Sequence, residues 1–129
     1  MTGALPGGLL LDTTALAALA SSRSMSAIIA SAPNLEAKLY APVTCLDAAD
    51  RICPGIAKQV AQLPAIEPLD LTYADLLHLR QYTPQAALDV AHVIALARPT
   101  PITPGGLAVA TVMPELYAGF DILINPIGE

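Results

Sequence analysis

Short, mostly apolar runs alternate with helical patterns along the chain, and prolines and glycines separate them. Apolar runs of only four or five residues are typical of strands that are buried within a sheet. Five segments have this character, and we predict strands over residues 8–11, 38–41, 66–69, 107–111 and 121–125.

Helical patterns fill the intervals between these strands. Threonines that can cap a helix follow the first three predicted strands, at Thr13, Thr44 and Thr72. Further helices are predicted over residues 24–32 and 56–63, and a single helical turn over residues 114–117. The pair Thr83–Pro84 gives the strongest helix start, since threonine can cap and proline fits the first turn; this helix should end before Pro99.

The alternation of strands and helices predicts an α/β fold. We expect a three-layer α/β/α sandwich, with a central and mainly parallel sheet of four to five strands, in a single domain over residues 1–129. Ligands of such folds bind beyond the carboxyl ends of the strands, near the point where the strand order reverses. The candidates for chemistry are therefore Asp12, the residues after Pro42, and residues 111–115.

Composition points to contact with a protein partner. The chain is 54% hydrophobic and only 13% charged, against about 25% charged residues in typical domains. So few charges leave apolar surface exposed, and such surface usually meets a partner. Self-association as a homodimer is the simplest form of this expectation. The six basic residues are scattered and the net charge is −5, which disfavours tight binding of nucleic acid through its phosphates.

The remaining bulk features predict a cytoplasmic protein with free thiols. No run of 18 apolar residues is present, so we expect no membrane span and the cytoplasm as the default location. Cys45 and Cys53 are eight residues apart, about 12 Å on a continuous helix. That separation is too large for a disulfide, and both are interpreted as small buried hydrophobic residues.

The segment LLLDTTAL, residues 9–16, resembles the first motif of PIN-domain nucleases, a family that includes the VapC-type toxins of toxin–antitoxin pairs. Three further segments follow in matching order. Residues 39–42 lead into a helix as in the second motif, residues 88–92 place an aspartate in an alanine-rich helix, and residues 109–111 resemble the strand and threonine of the fourth.

The resemblance implies metal-dependent cleavage of phosphodiesters, with about four carboxylates that hold Mg²⁺ or Mn²⁺. Asp12 matches the first acid and Asp89 the third. The second acid falls on Ala48, so Asp47 is the nearest substitute. The fourth falls on Met113, which cannot bind a hard cation, and Glu115 is the closest acid beyond it; these substitutions deplete the site.

Each candidate also has a simpler interpretation. Asp12 can be an ordinary helix cap, Asp47 and the nearby Asp50 can be solvated surface acids, and Glu115 can cap a helical turn or lie on the surface. His92 lies three residues after Asp89 on the same helical face and can bind a metal with it or be a buried histidine with a hydrogen-bond partner.

Three functions follow from these observations. The first is a PIN-like protein-interaction module, non-catalytic or weakly active, that is related to toxin–antitoxin systems and binds an antitoxin-like partner, another protein or a second copy of itself. The alternative is a Mg²⁺-dependent endoribonuclease, the toxin of a VapC-type pair, for which RNA is the substrate. The third is a scaffold in a larger assembly that retains no chemistry.

Overall fold

A computed structural model of the chain describes residues 8–19, 21–31, 38–83, 86–99 and 106–127. The described strands form one sheet, and every neighbouring pair is parallel. Their bounds are β1 Gly8–Leu11, β2 Lys38–Pro42, β3 Ile66–Leu69, β4 Ala108–Thr111 and β5 Ile124–Pro126. The prediction of a parallel central sheet is confirmed.

Helices occupy the connections between the strands, as parallel strands require. Their bounds are α1 Thr13–Ala17, α2 Arg23–Ser31, α3 Val43–Ile52, α4 Ile56–Ala61, α5 Tyr73–Leu79 and α6 Leu88–Ala97, with a 3₁₀ turn at Pro114–Tyr117. The apolar runs identified in the sequence become the core: Leu10, Leu11 and Val109 of the central strands are fully buried.

The strand order β3-β2-β1-β4-β5 reverses direction beside β1. The chain first moves outward from β1 to β2 and β3, and it then crosses back to β4 on the other side of β1. Crossovers of one hand that run in opposite directions lie on opposite faces of a sheet. This topology agrees with the predicted three-layer sandwich, and it puts the point where the strand order reverses at the carboxyl ends of β1 and β4, where folds of this kind usually bind their ligands.

The predicted start of α6 at Thr83–Pro84 is wrong, because the helix begins at Leu88 after the N-cap residue Ala87. The backbone N–H of Thr83 donates to the carbonyl of Leu79 at 3.1 Å, so the residues after α5 continue its last turn instead of opening a new helix. Pro84 itself, like Ala32 at the end of the helix predicted over residues 24–32, lies outside the described residues.

Both edges of the described sheet carry a proline. Pro68 lies in the edge strand β3, and Pro126 lies in the edge strand β5. Proline has no N–H to donate, so it interrupts the ladder that a further strand would need. An ion pair of 3.2 Å between Lys38 and Glu67 also places charge along the β2–β3 edge. These edges are poorly suited to extension by another chain.

No helix within the described ranges is long and apolar enough to cross a membrane. Both cysteines are free thiols; Cys45 is buried, as predicted, whereas Cys53 is only half-buried.

Candidate functional site

The candidate site lies where the fold predicts it, at the carboxyl ends of the two central strands. Asp12 directly follows β1, and Thr111 ends β4. The two strands are neighbours, with Leu11 paired to Ala110, so their polar ends lie side by side. Asp12 is 1% exposed and Thr111 is 0% exposed. Polar groups buried this deeply need hydrogen-bond partners.

The Asp12 carboxylate receives three hydrogen bonds from the protein. Its Oδ1 accepts from the Ala15 N–H at 2.9 Å and from the Thr14 hydroxyl at 2.7 Å, and its Oδ2 accepts from the Tyr117 hydroxyl at 2.7 Å. The bond from Ala15 makes Asp12 the N-cap of α1. A carboxylate offers about four acceptor positions, so the protein itself fills most of them.

The hydroxyl of Thr14 connects this carboxylate to the end of β4. Its oxygen accepts from the Val112 N–H at 2.9 Å and lies 3.1 Å from the Thr111 hydroxyl oxygen. Because the proton of Thr14 is directed at Asp12, Thr111 must be the donor to Thr14. The Thr111 oxygen in turn accepts from the Met113 N–H at 3.0 Å. The network therefore fixes the loop after β4 against α1.

Tyr117 is the site residue that the sequence analysis missed, since the tyrosines of the chain are dispersed. It is 3% exposed and lies at the end of the 3₁₀ turn that follows β4. Burial raises the pKa of its phenol, and the carboxylate of Asp12 raises this pKa further. The hydroxyl therefore stays protonated and donates to Asp12. The sequence feature that could have identified Tyr117 is the helical turn predicted at residues 114–117. This turn follows β4 and directs the Tyr117 side chain back to the strand end where Asp12 lies.

Asp89 lies in the first turn of α6 and is half-buried. Its Oδ2 accepts from the hydroxyl of Thr13 at 2.5 Å. Thr13, the residue that follows Asp12, therefore joins α1 to α6. Asp89 also lines a cavity of about 470 Å³ between α3 and α6, which we call the α3–α6 groove. The groove is lined by Val43, Thr44, Asp47, Ala48, Arg51, Leu88 and Asp89.

Asp47 also lines this groove. Its side chain is 65% exposed and forms an ion pair of 3.0 Å with Arg51, one turn later on α3. Asp50, for which a solvated surface acid was the simpler prediction, has a structural role: its Oδ1 accepts from the backbone N–H groups of Gly55 and Ala57. Asp50 thus satisfies free N–H groups at the start of α4.

Glu115 and Met113 follow β4 and are both exposed. The resemblance placed the fourth acid at Met113, and Glu115 is held in the 3₁₀ turn whose last residue is Tyr117. Across the described ranges, no three side chains of His, Cys, Asp or Glu come together as a group that could hold a metal ion. The four candidate acids are therefore divided between a buried network, a groove and an exposed turn.

Two further groups beneath the groove are buried and held in neutral form. Burial raises the pKa of the Cys45 thiol to about 12, and this thiol contacts the carbonyl oxygen of Asp89 at 3.6 Å. His92 is 2% exposed, and its Nδ1 lies 2.7 Å from the hydroxyl oxygen of Thr44, whereas its Nε2 has no hydrogen-bond partner among the described residues. Burial lowers the pKa of His92, an effect that the distant charge of Asp75 partly opposes.

Comparison with known proteins adds no relative to this picture. The chain matches no family model, no curated protein and no solved structure.

Proposed function

We propose that this chain is a non-catalytic protein-interaction domain, built on a PIN-like architecture whose acidic metal site has been replaced by an internal hydrogen-bond network. The observation that carries the proposal is the hydrogen bond of 2.7 Å from the Tyr117 hydroxyl to Asp12. A hydroxyl donor at this position uses the carboxylate oxygen that a hard cation would need.

The chemistry of the other donors supports the same proposal. Mg²⁺ binds one or two carboxylates directly and keeps several water molecules, so its ligands must face a space that water can enter. Asp12 is almost fully buried, and Asp47 is paired with Arg51 on the surface. As arranged, these residues do not fit a divalent cation, and we assign no reaction step to one.

Exposed apolar side chains support a protein partner. Val43 and Leu88 on opposite sides of the α3–α6 groove are 40% and 42% exposed. Two carboxylates, Asp47 and Asp89, line the same groove together with one cation, Arg51, which is paired with Asp47. The net charge of the lining is therefore negative and repels a nucleic-acid backbone. The groove therefore suits a protein segment, such as an antitoxin-like partner, better than RNA.

One observation favours the alternative function of a Mg²⁺-dependent endoribonuclease: Asp47 and Asp89 line the same groove. This places the second and third candidate acids of the resemblance within one cavity. Asp12 adjoins this pair through Thr13, whose hydroxyl donates to Asp89, but Oδ2 of Asp12 is occupied by the Tyr117 hydroxyl.

A metal titration combined with an RNA cleavage assay separates the two functions. We expect Mn²⁺, added up to about 1 mM, to show no saturable binding by calorimetry, and structured RNA to remain intact with Mg²⁺. Asp47→Asn is the informative variant, because this exposed side chain can change without disturbing the core; Glu67→Gln, an acid outside the site, is its control. Saturable Mn²⁺ binding would show that a metal site remains, and RNA cleavage that Asp47→Asn removes and Glu67→Gln does not would establish the endoribonuclease instead.

A further inference from the structure

The outer face of α5 carries exposed apolar side chains. Tyr73 is 75% exposed and Leu77 is 54% exposed, and they lie one turn apart on the same side of the helix. The opposite side is anchored in the core through Leu79, which is 1% exposed. A capping box between Thr72 and Asp75 fixes the start of the helix. The face is therefore an ordered surface.

Arg80 extends this face by one position at its carboxyl end. It is exposed and retains helical dihedral angles of φ −58° and ψ −25°, so it lies about 60° around the axis from Leu77 and closer still to Tyr73. The ion pairs found among the described residues join Lys38 to Glu67 and Arg51 to Asp47. Within that part of the chain, the guanidinium of Arg80 has no acidic partner.

Tyr73, Leu77 and Arg80, which we call the α5 face, form a self-complementary sequence. When two copies of a helix pack antiparallel about a two-fold axis, residues at equal distances on either side of the axis meet. Tyr73 is about 6 Å from Leu77 along the helix, and Arg80 is about 4.5 Å from it on the other side. With Leu77 on the axis, the tyrosine of each copy therefore lies within reach of the arginine of the other.

We propose that the α5 face is a homodimer interface, in which two copies pack antiparallel through Leu77 and each Arg80 guanidinium stacks on the Tyr73 ring of the other copy. The cation–π interaction between a guanidinium and the face of an aromatic ring is favourable, and it is stronger when both groups are withdrawn from water. The prolines in β3 and β5 disfavour association through the sheet edges, which leaves helix faces for this contact. The inference rests on the proposed interaction role and names the surface for self-association.

Solution mass tests the proposal directly. Sedimentation equilibrium of the whole chain, at concentrations from about 1 to 100 µM, should give a mass approaching twice the 13.3 kDa of one chain. Leu77→Glu places two like charges together on the axis and should weaken the dimer at least about 30-fold. Leu123→Glu is the matched control, because Leu123 is 62% exposed and lies outside the α5 face; it should leave the dimer unchanged.

Oxidative cross-linking tests the geometry. In a Cys53→Ser background, Leu77→Cys places a thiol on the axis opposite its own copy, within the Cβ separation of about 4 Å that a disulfide needs. Leu77→Cys should form a covalent dimer readily, and Leu123→Cys should not.

A monomeric wild-type chain at 100 µM would overturn the proposal, and so would a dimer that Leu77→Glu leaves intact or equal cross-linking of the two cysteine variants. Binding of the face to a different protein would appear as the first of these outcomes. The Mn²⁺ titration is independent of the dimer, so a failure here leaves the non-catalytic role standing.

Discussion

Tyr117→Phe removes one oxygen atom from the centre of the candidate site and nothing from its packing. The hydroxyl donates to Oδ2 of Asp12 at 2.7 Å, and both side chains are more than nine-tenths buried. Without it, the carboxylate keeps its bonds from Thr14 and Ala15 but has one buried oxygen without a donor. The variant should therefore fold and be clearly less stable than the wild type.

The size of the loss follows from the charge of the acceptor. A hydrogen bond to a charged group contributes about 1.5–3 kcal/mol to stability. Unfolding entropy scales with chain length, and for 129 residues it is about 0.27 kcal/mol per kelvin near 60 °C. A loss of about 2 kcal/mol thus lowers Tm by about 7 °C. Urea unfolding at pH 7 measures the free-energy change, and calorimetry measures the change in Tm.

Tyr73→Phe is the control for this measurement, because it removes the same oxygen from a side chain that is 75% exposed in the single chain and keeps the ring on which the proposed dimer contact depends. Its effect on stability should stay within about 0.5 kcal/mol. If Tyr117→Phe unfolds at the same urea concentration as Tyr73→Phe, the bond to Asp12 does not stabilise the site and the reasoning fails. If Tyr117→Phe instead binds Mn²⁺ where the wild type does not, the hydroxyl is what excludes the cation.

Three further predictions concern titration, thiol reactivity and helix capping. Burial lowers the pKa of His92 in the folded state, so as pH falls through about 6.5 the unfolded chain protonates this histidine before the folded chain does. The free energy of unfolding in urea should therefore fall from pH 7 to pH 5, and His92→Gln should flatten this slope. Cys45 is fully buried and its pKa is raised to about 12, so a thiol reagent at pH 8 should modify Cys53 alone in the native protein and both cysteines in urea. Rapid modification of both cysteines in the native protein would contradict the structure. Thr72→Ala removes the cap of α5 and should cost about 1 kcal/mol in thermal unfolding; an unchanged Tm would show that the capping box is not stabilising.

The order and type of the elements were predictable because their causes are local. Pro54 separates α3 from α4, and Pro64 separates α4 from β3. The capping box of Thr72 and Asp75 spans only four residues. The start of α6 was predicted wrongly at Thr83 for a different reason. The backbone N–H of Thr83 donates to the carbonyl of Leu79 in the preceding helix. A sequence pattern does not reveal to which of two neighbouring helices a residue between them will bond.

Asp12 was the candidate that the sequence located best, because its position depends on a turn of three residues and a bond to Ala15. Asp47 and Asp89 were placed on helices correctly, but their surroundings were not predictable. Whether Asp47 faces solvent or a metal depends on the orientation of α3 against α6, which the packing of the whole layer sets.

The sequence by itself determined an alternating α/β chain with an aspartate at the end of its first strand. Only the tertiary structure decided what that aspartate does, since its partner Tyr117 lies 105 positions away along the chain and Thr13 reaches Asp89 across 76 positions. The physical reason is that strands and caps form from neighbouring residues, whereas the partners of a buried carboxylate are chosen by where the packed layers bring distant donors.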